Sequence, residues 1–508
     1  MRKWWPLVTV CLGTFMLLID VTIVNVALPP MAVDLHTSFT ALQWVVDGYA
    51  LSLAVLLLGA GALGDLYGHR RLYAGGLVVF ALASLACGLA TDGGTLIAAR
   101  VVQGVGAAAM FTTTFALLNS AYQGRERGIA YGVWGGVSGA AAAVGPVLGG
   151  VLTEWLDWRW IFFVNLPISV VAVVATLVVL RADPGHRRGR FDLAGTITFT
   201  VAATALTLAV IRANTEGWTA FATWGLLLLS AAGLVAFAFV ERRSAHPMLD
   251  LKLLRNRSFG GILIGALLVN MAAFAAFTYT SIWLQSLVGL SPLKAGLVGL
   301  PMSVLSVIVS GIAGARLHGR SPRVIIGAGL LLIGAGSALT VLLLGPGSSW
   351  PALLAGYAVI GAGVGLVMPT LAEAAMAAVP RERGGMAAGA VNTARQLGFA
   401  IGIAVLGTAF AGRARAHLTE AGVPNAADAA HGLAGGQAAR ILAATPEAVR
   451  GTVDTALRGA AVAGLDAAFL VAAAAGVVAG IAVLLLVRPA RAEPRSDDRP
   501  AQEAVLHQ

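Results

Sequence analysis

Long apolar runs separated by short polar clusters recur along the whole chain. Fourteen of them reach spanning length, near residues 6–28, 44–64, 72–91, 95–118, 128–152, 161–180, 193–211, 220–240, 259–284, 293–316, 323–344, 350–374, 385–410 and 462–487. A helix needs about 20 apolar residues to cross the hydrocarbon of a bilayer. The pattern therefore predicts an all-α polytopic membrane protein with fourteen transmembrane helices. One gap is long: residues 411–461 are rich in Ala, Gly and charge and are expected to form an external loop or hairpin, with a short helix capped by Thr445.

Composition agrees with this pattern, since 58% of the 508 residues are hydrophobic and only 11% charged. That balance excludes an ordinary soluble domain. The net charge of +10 reports topology: 24 of the 34 Lys and Arg residues fall at the N-terminus, after even-numbered runs or in the tail. By the positive-inside rule both termini are cytoplasmic, in the cytoplasmic (inner) membrane. The basic residues form short clusters and no continuous face, so nucleic acid is not an expected partner. Cys11 and Cys87 fall inside predicted spans, and neither a metal-ligand cluster nor a hydrolase nucleophile motif is present. The chain is thus not expected to be an enzyme, and no metal or organic cofactor is expected. Of three lysines, Lys3, Lys252 and Lys294, none follows a glycine-rich phosphate loop. Energy for any transport must come from an ion gradient.

Charges inside spans are costly and so point to function. Asp20 lies near the middle of the first run, in LLIDVTIVNVALP, with Asn25 little more than a turn later. Its alternative reading is a packing carboxylate held by neighbours such as Thr22. Asp47, near the outer end of the second run, is within reach of the headgroups. The fourth run, LIAARVVQGVGAAA, places Arg100, Gln103 and Gly104 on one helical face. Arg100 is expected to sit in a central cavity and act on Asp20. In NTARQLG of the thirteenth run, Asn392, Arg395 and Gln396 are polar within an apolar helix and, with Asn25 and Gln103, are expected to line the substrate cavity. Phe274, Phe277, Tyr279 and Trp283 in the ninth run line a cavity for flat apolar compounds or simply pack. The fifth run carries AVGPVLGG, in which Gly145, Pro146, Gly149 and Gly150 permit a close helix crossing and a bend.

Between the second and third runs stands GALGDLYGHRRL, residues 61–72, expected as a charged loop with Gly61, Gly64, Asp65, Gly68, Arg70 and Arg71 as its working parts. This stretch resembles the signature loop of the major facilitator superfamily of secondary transporters. Asp20 to Pro29 resembles the first-helix motif of its fourteen-span drug:proton antiporters, R-x-x-Q-G-x-G at Arg100 the fourth-helix motif, and G-P-x-x-G-G at Gly145 a motif of its exporters. The resemblance implies a major facilitator fold of two six-helix bundles plus two inserted helices. The first bundle is then 1–181, the inserted pair 182–258, ending in a cytoplasmic linker that is either an interfacial amphipathic segment or a solvated stretch, and the second bundle 259–488. Residues 489–508 are expected to be a disordered cytoplasmic tail. GIAGARLHGR at 311–320 echoes 61–70 at an offset of 250, with Ala315 where Asp65 stands. The implied activity is proton-coupled antiport exporting amphipathic drugs or antibiotics, by a monomer in the lipid bilayer, with Asp20 and Arg100 coupling the protons. A transporter of a native metabolite and a membrane sensor are the alternatives.

Overall fold

The computed structural model describes residues 2–37, 39–182, 191–317, 320–345, 347–380 and 383–488. Its first group of helices comprises α1 (Trp5–Asp34), α2 (Phe39–Tyr67), α3 (His69–Gly88), α4 (Gly93–Ala121), α5 (Gly124–Trp155), the short α6 (Trp160–Phe163) and α7 (Asn165–Val179). Then come α8 (Leu193–Glu216), α9 (Phe221–Arg243) and the one-turn α10 (Leu251–Leu254). The second group begins with α11 (Arg257–Asn270), which continues through a π-helical turn at Met271–Ala275 into α12 (Ala276–Ser286). It goes on with α13 (Pro292–Val298), α14 (Leu300–Arg316), α15 (Pro322–Leu343) and α16 (Leu354–Ala377). The chain then forms α17 (Gly384–Glu420), α18 (Ala426–Ala434), α19 (Ala438–Ala443) and α20 (Glu447–Leu486).

Among the described residues, 12 helices are long and apolar enough to cross a membrane. The other two expected spans take a different form. Residues 128–152 lie within the long but glycine-rich α5, and 293–316 are divided at Gly299 into α13 and α14. The count of fourteen is therefore an expectation that goes beyond the twelve. Large side chains such as Phe221 (92% exposed) and Val235 (70%) cover the outside of α9, as a lipid-facing helix requires.

Two expected loops prove to be helical. Residues 61–72 are not an extended turn: α2 runs to Tyr67 and α3 starts at His69, and only Gly68 breaks the path, with φ 95°, where a side chain would be strained. Asp65 thereby sits in the last turn of α2. In 411–461, α17 continues to Glu420, and the helix expected to start at Thr445 begins beside it at Glu447. That helix does not stop: it is the first part of α20 and runs unbroken into the last span. The linker also differs from an interfacial helix, since Met248 and Leu249 are buried against Val55, Leu58, Phe199 and Ala387. Trp158 is buried as well, edge-to-face on Phe162, whereas Trp160 is exposed.

The two groups of helices meet where small residues let backbones touch. A methyl group on Gly61 of α2 would collide with the carbonyl oxygen of Gly385 in α17, and one on Gly314 of α14 with that of Gly128 in α5. The two halves of the sequence echo thus make equivalent crossings, though Gly311, the counterpart of Gly61, faces open space. Both crossings lie at the end of the molecule that carries Lys3, Glu126 and Arg488, called here the terminal face.

Candidate functional site

The interior of the first group holds one dense polar cluster. Asp20 of α1 and Arg100 of α4, both 0% exposed, form an ion pair of 2.5 Å. Helix α4 presents Gln103 one turn on from Arg100. Gln103 accepts from Arg100 Nη1 at 2.7 Å and donates to Asp20 Oδ1 at 2.9 Å and to Ser84 Oγ at 2.7 Å. Asn165, at the start of α7, also donates to Asp20 Oδ1 at 2.9 Å. Arg100 is completed by Val45, whose carbonyl accepts from Nε at 3.0 Å, and by the ring of Tyr49, 4.2 Å from the guanidinium carbon. Five helices therefore converge on one buried carboxylate whose partners are all donors. Such a pair is costly to desolvate and expensive to break by halves.

Three of these residues, Asp20, Arg100 and Gln103, were legible as charged or amide side chains in apolar runs. Asn165 belongs to WRWIFFVNLPI, where the tryptophans draw attention to the interface, and Ser84 and Tyr49 carry no charge signal at all. The lone amide in FFVNLPI is the signal that would have found Asn165. The pair lies inside the first group of helices and is closed to any cavity in this conformer, which differs from the expected place of Arg100 in a central cavity. The side chains of Asn25 and Pro146 lie outside the described residues. Gly104 supports the cluster from behind, since a Cβ there would strike Ser52 and the carbonyl of Tyr49.

The glycines of α5 divide in role. Gly145 and Gly149 press against Thr22 and Ile23 of α1, while Gly132 meets the backbone of Ser310 in α14. Gly150 faces open space, so the expected packing role does not extend to it.

At the terminal face Asp65 accepts from the backbone N–H groups of Gly385 and Met386, each at 2.8 Å, and lies 3.2 Å from His69 Nε2. Gly64 packs beside His69 and Thr113. Arg70 donates from Nε to the carbonyl of Thr176 at 3.3 Å and from Nη2 to that of Leu177, the last carbonyls of α7. Both contacts place charge where a helix end favours it. Arg71 is exposed. Nearby, Arg383 pairs with Asp250 of the linker at 2.5 Å, and its hydrogen bond holds Asp250 below the usual carboxylate range. A cavity of about 260 Å³ opens at the same end, with Tyr131, Arg320 and Glu373 in its lining.

Residues of the second group lie apart from the Asp20 cluster. Asn392 is fully buried, Arg395 and Gln396 are half-buried, and Arg395 points toward Phe111 of α4, 6.0 Å from the ring centre. Phe274 and Phe277 are half-buried, and Phe277 packs on Tyr357. Tyr279 and Trp283 are not open to a cavity. Tyr279 donates to the carbonyl of Ile403 at 2.6 Å and stacks on Phe410, and Trp283 is 3% exposed, so both belong to the packed core of the second group.

Relatives agree with this architecture. The chain is 39% identical over 406 residues, 80% of its length and 75% of the relative's, to the multidrug resistance protein Stp of Mycobacterium tuberculosis. It is 31% identical to the tetracenomycin C resistance and export protein of Streptomyces glaucescens, with 98% of this chain and 94% of the relative aligned. The human organic anion transporter MFSD10 (TETRAN) superposes with a TM-score of 0.63 over 95% of this chain and 99% of that chain; at 14% identity this bears on the fold alone. Residues 10–403 match the Major Facilitator Superfamily profile, and the chain belongs to that family of transporters.

Proposed function

We propose that this protein exports amphipathic drugs or antibiotics across the cytoplasmic membrane in exchange for protons, as a fourteen-span monomer with both termini in the cytoplasm. The terminal face is then cytoplasmic, and the conformer described here is closed on that side. Names of relatives that speak of multidrug resistance and of resistance and export support the substrate class and direction. For coupling, the observation that carries most weight is the buried Asp20 carboxylate, tied to Arg100 by charge and to Gln103 and Asn165 by hydrogen bonds.

A proton reaching Asp20 neutralises the carboxylate and removes most of the attraction that holds α1 to α4 through Arg100. Arg100 itself remains charged and is a poor proton carrier. The two states of Asp20 then favour different arrangements of the first bundle, and a proton gradient biases their populations. Opening on the cytoplasmic side also breaks the contact of Asp65 with α17. Drug admitted from inside and protons admitted from outside thereby use alternate conformers, which is what exchange requires.

The test is expression in a bacterial host lacking its own efflux pumps, with a growth-inhibition panel of amphipathic antibiotics and dyes. Raised inhibitory concentrations, together with compound-driven proton movement in everted vesicles, are the expected outcome. No protection against any compound, or uptake in place of export, contradicts the proposal.

A further inference from the structure

Arg395 is a cation in the middle of a long apolar helix, and the protein gives it little to balance its charge. Helix α17 leans on the first bundle through Gly389, against Leu57 and Leu58, and on its own bundle through Gly398, against Leu267. Between these two contacts Arg395 faces Phe111 across the division of the molecule. Among the described residues its one hydrogen bond is a long 3.4 Å contact from Nη1 to Asn392 Oδ1, and its buried Nε has no partner there. Among the described residues no carboxylate pairs with it. Asn392, one turn earlier and 0% exposed, also has a donor without a partner, its Nδ2. Buried donors left unmade are costly, and a cation in hydrocarbon more so.

Two neighbouring donors of this kind, with an aromatic ring 6.0 Å from the guanidinium, match a flat molecule that carries an oxyanion. We propose that Arg395, Asn392 and Phe111 form a substrate subsite for an aromatic compound bearing a carboxylate, sulfonate or phenolate. The oxyanion takes the free donors of Arg395 and Asn392, and the ring of the compound lies against Phe111. This inference rests on the transport reading above and names one class of its substrates. Asp20 has no part in it, because its charge is already matched by Arg100.

Two dyes built on the same flat xanthene core and of opposite charge, anionic fluorescein and cationic rhodamine 6G, test it. Binding to the full-length protein in lipid nanodiscs is followed by fluorescence polarisation for wild type, Arg395→Gln and Arg395→Lys, with thermal unfolding as a check that the variants fold. Wild type is expected to bind fluorescein, Arg395→Gln to lose affinity tenfold or more, and Arg395→Lys to retain most of it. Rhodamine 6G should bind Arg395→Gln several-fold more tightly than wild type, since a like charge has gone. Failure of wild type to bind fluorescein, or an equal loss of both dyes in Arg395→Gln, overturns the subsite. Cellular export separates this from the broader reading. Arg395-dependent fluorescein binding without export of any compound leaves the site standing and removes transport. Export of rhodamine 6G without such binding does the reverse.

Discussion

Asp65 in the last turn of α2 accepts hydrogen bonds from the backbone of Gly385 and Met386, so a carboxylate from the first bundle caps the opening turn of α17 in the second. The contact is charge-assisted and lies on the helix dipole, and it ties the two groups of helices together at the terminal face. Asp65→Asn keeps the shape but surrenders the charge and one acceptor. The closed conformer should lose about 1.5–3 kcal/mol, at least a tenfold change in population. Distance measurements between spin labels on α2 and α17 should show a larger open fraction, and transport should fall while membrane abundance is unchanged. An unaltered distance distribution would remove Asp65 from the closing contact.

A second prediction uses two adjacent glycines. Gly149→Leu forces a side chain into Ile23 of α1, whereas Gly150→Leu meets open space. Overpacking of this sort costs about 1–3 kcal/mol. Thermal unfolding should therefore fall by several degrees for Gly149→Leu and hardly move for Gly150→Leu. Equal effects would mean that helix propensity alone, and no close crossing, explains the pair.

The linker gives a third prediction. Asp250 and Arg383 are partly exposed, so their pairing contributes about 0.2–1 kcal/mol, and Asp250→Asn should loosen residues 244–256 only modestly. Arg383 depresses the Asp250 carboxyl, so the contribution is fully present above the ordinary value of 3.8 and is lost as pH falls through the lower folded value. Hydrogen exchange of the linker should be independent of this pair from neutral pH down to about 5. A change in linker protection between pH 7 and 5 that Asp250→Asn abolishes would contradict this.

Much of this architecture was legible because charge is rare in the chain and each charged residue stands out against its run. Asp20, Arg100 and Asp65 announced themselves in that way, and Gln103 did so as an amide one turn from Arg100. What escaped was held by tertiary contact. Asn165 reaches Asp20 only because α6 and α7 return beside α1, and Ser84 matters only as the shared neighbour of Gln103 and Asn165. A motif gave Gly149 and Gly150 the same standing, and only the position of α1 separates them. The helical course of 61–72 escaped because glycines and charges there resemble a turn, although a single residue, Gly68, makes the break. Tyr279 and Trp283 could be read either way, since an aromatic stripe looks alike whether it faces a cavity or a core, and here both are packed.

The central claim is that Asp20 takes up and releases the transported proton. Asp20→Asn preserves size and hydrogen bonding to Gln103 but removes the titrating group and the charge opposite Arg100. The direct measurement is proton release from purified protein on addition of a compound that the growth-inhibition panel identifies as a substrate, in equal amounts of wild type and Asp20→Asn, read with a pH-sensitive dye in weakly buffered solution. Wild type should release protons with saturation by the compound, and Asp20→Asn should show no release above background while still folding and reaching the membrane. Undiminished proton release from Asp20→Asn would contradict the account and move the coupling site elsewhere, with Asp47 of α2 and Asp466, half-buried in α20, the next carboxylates to examine.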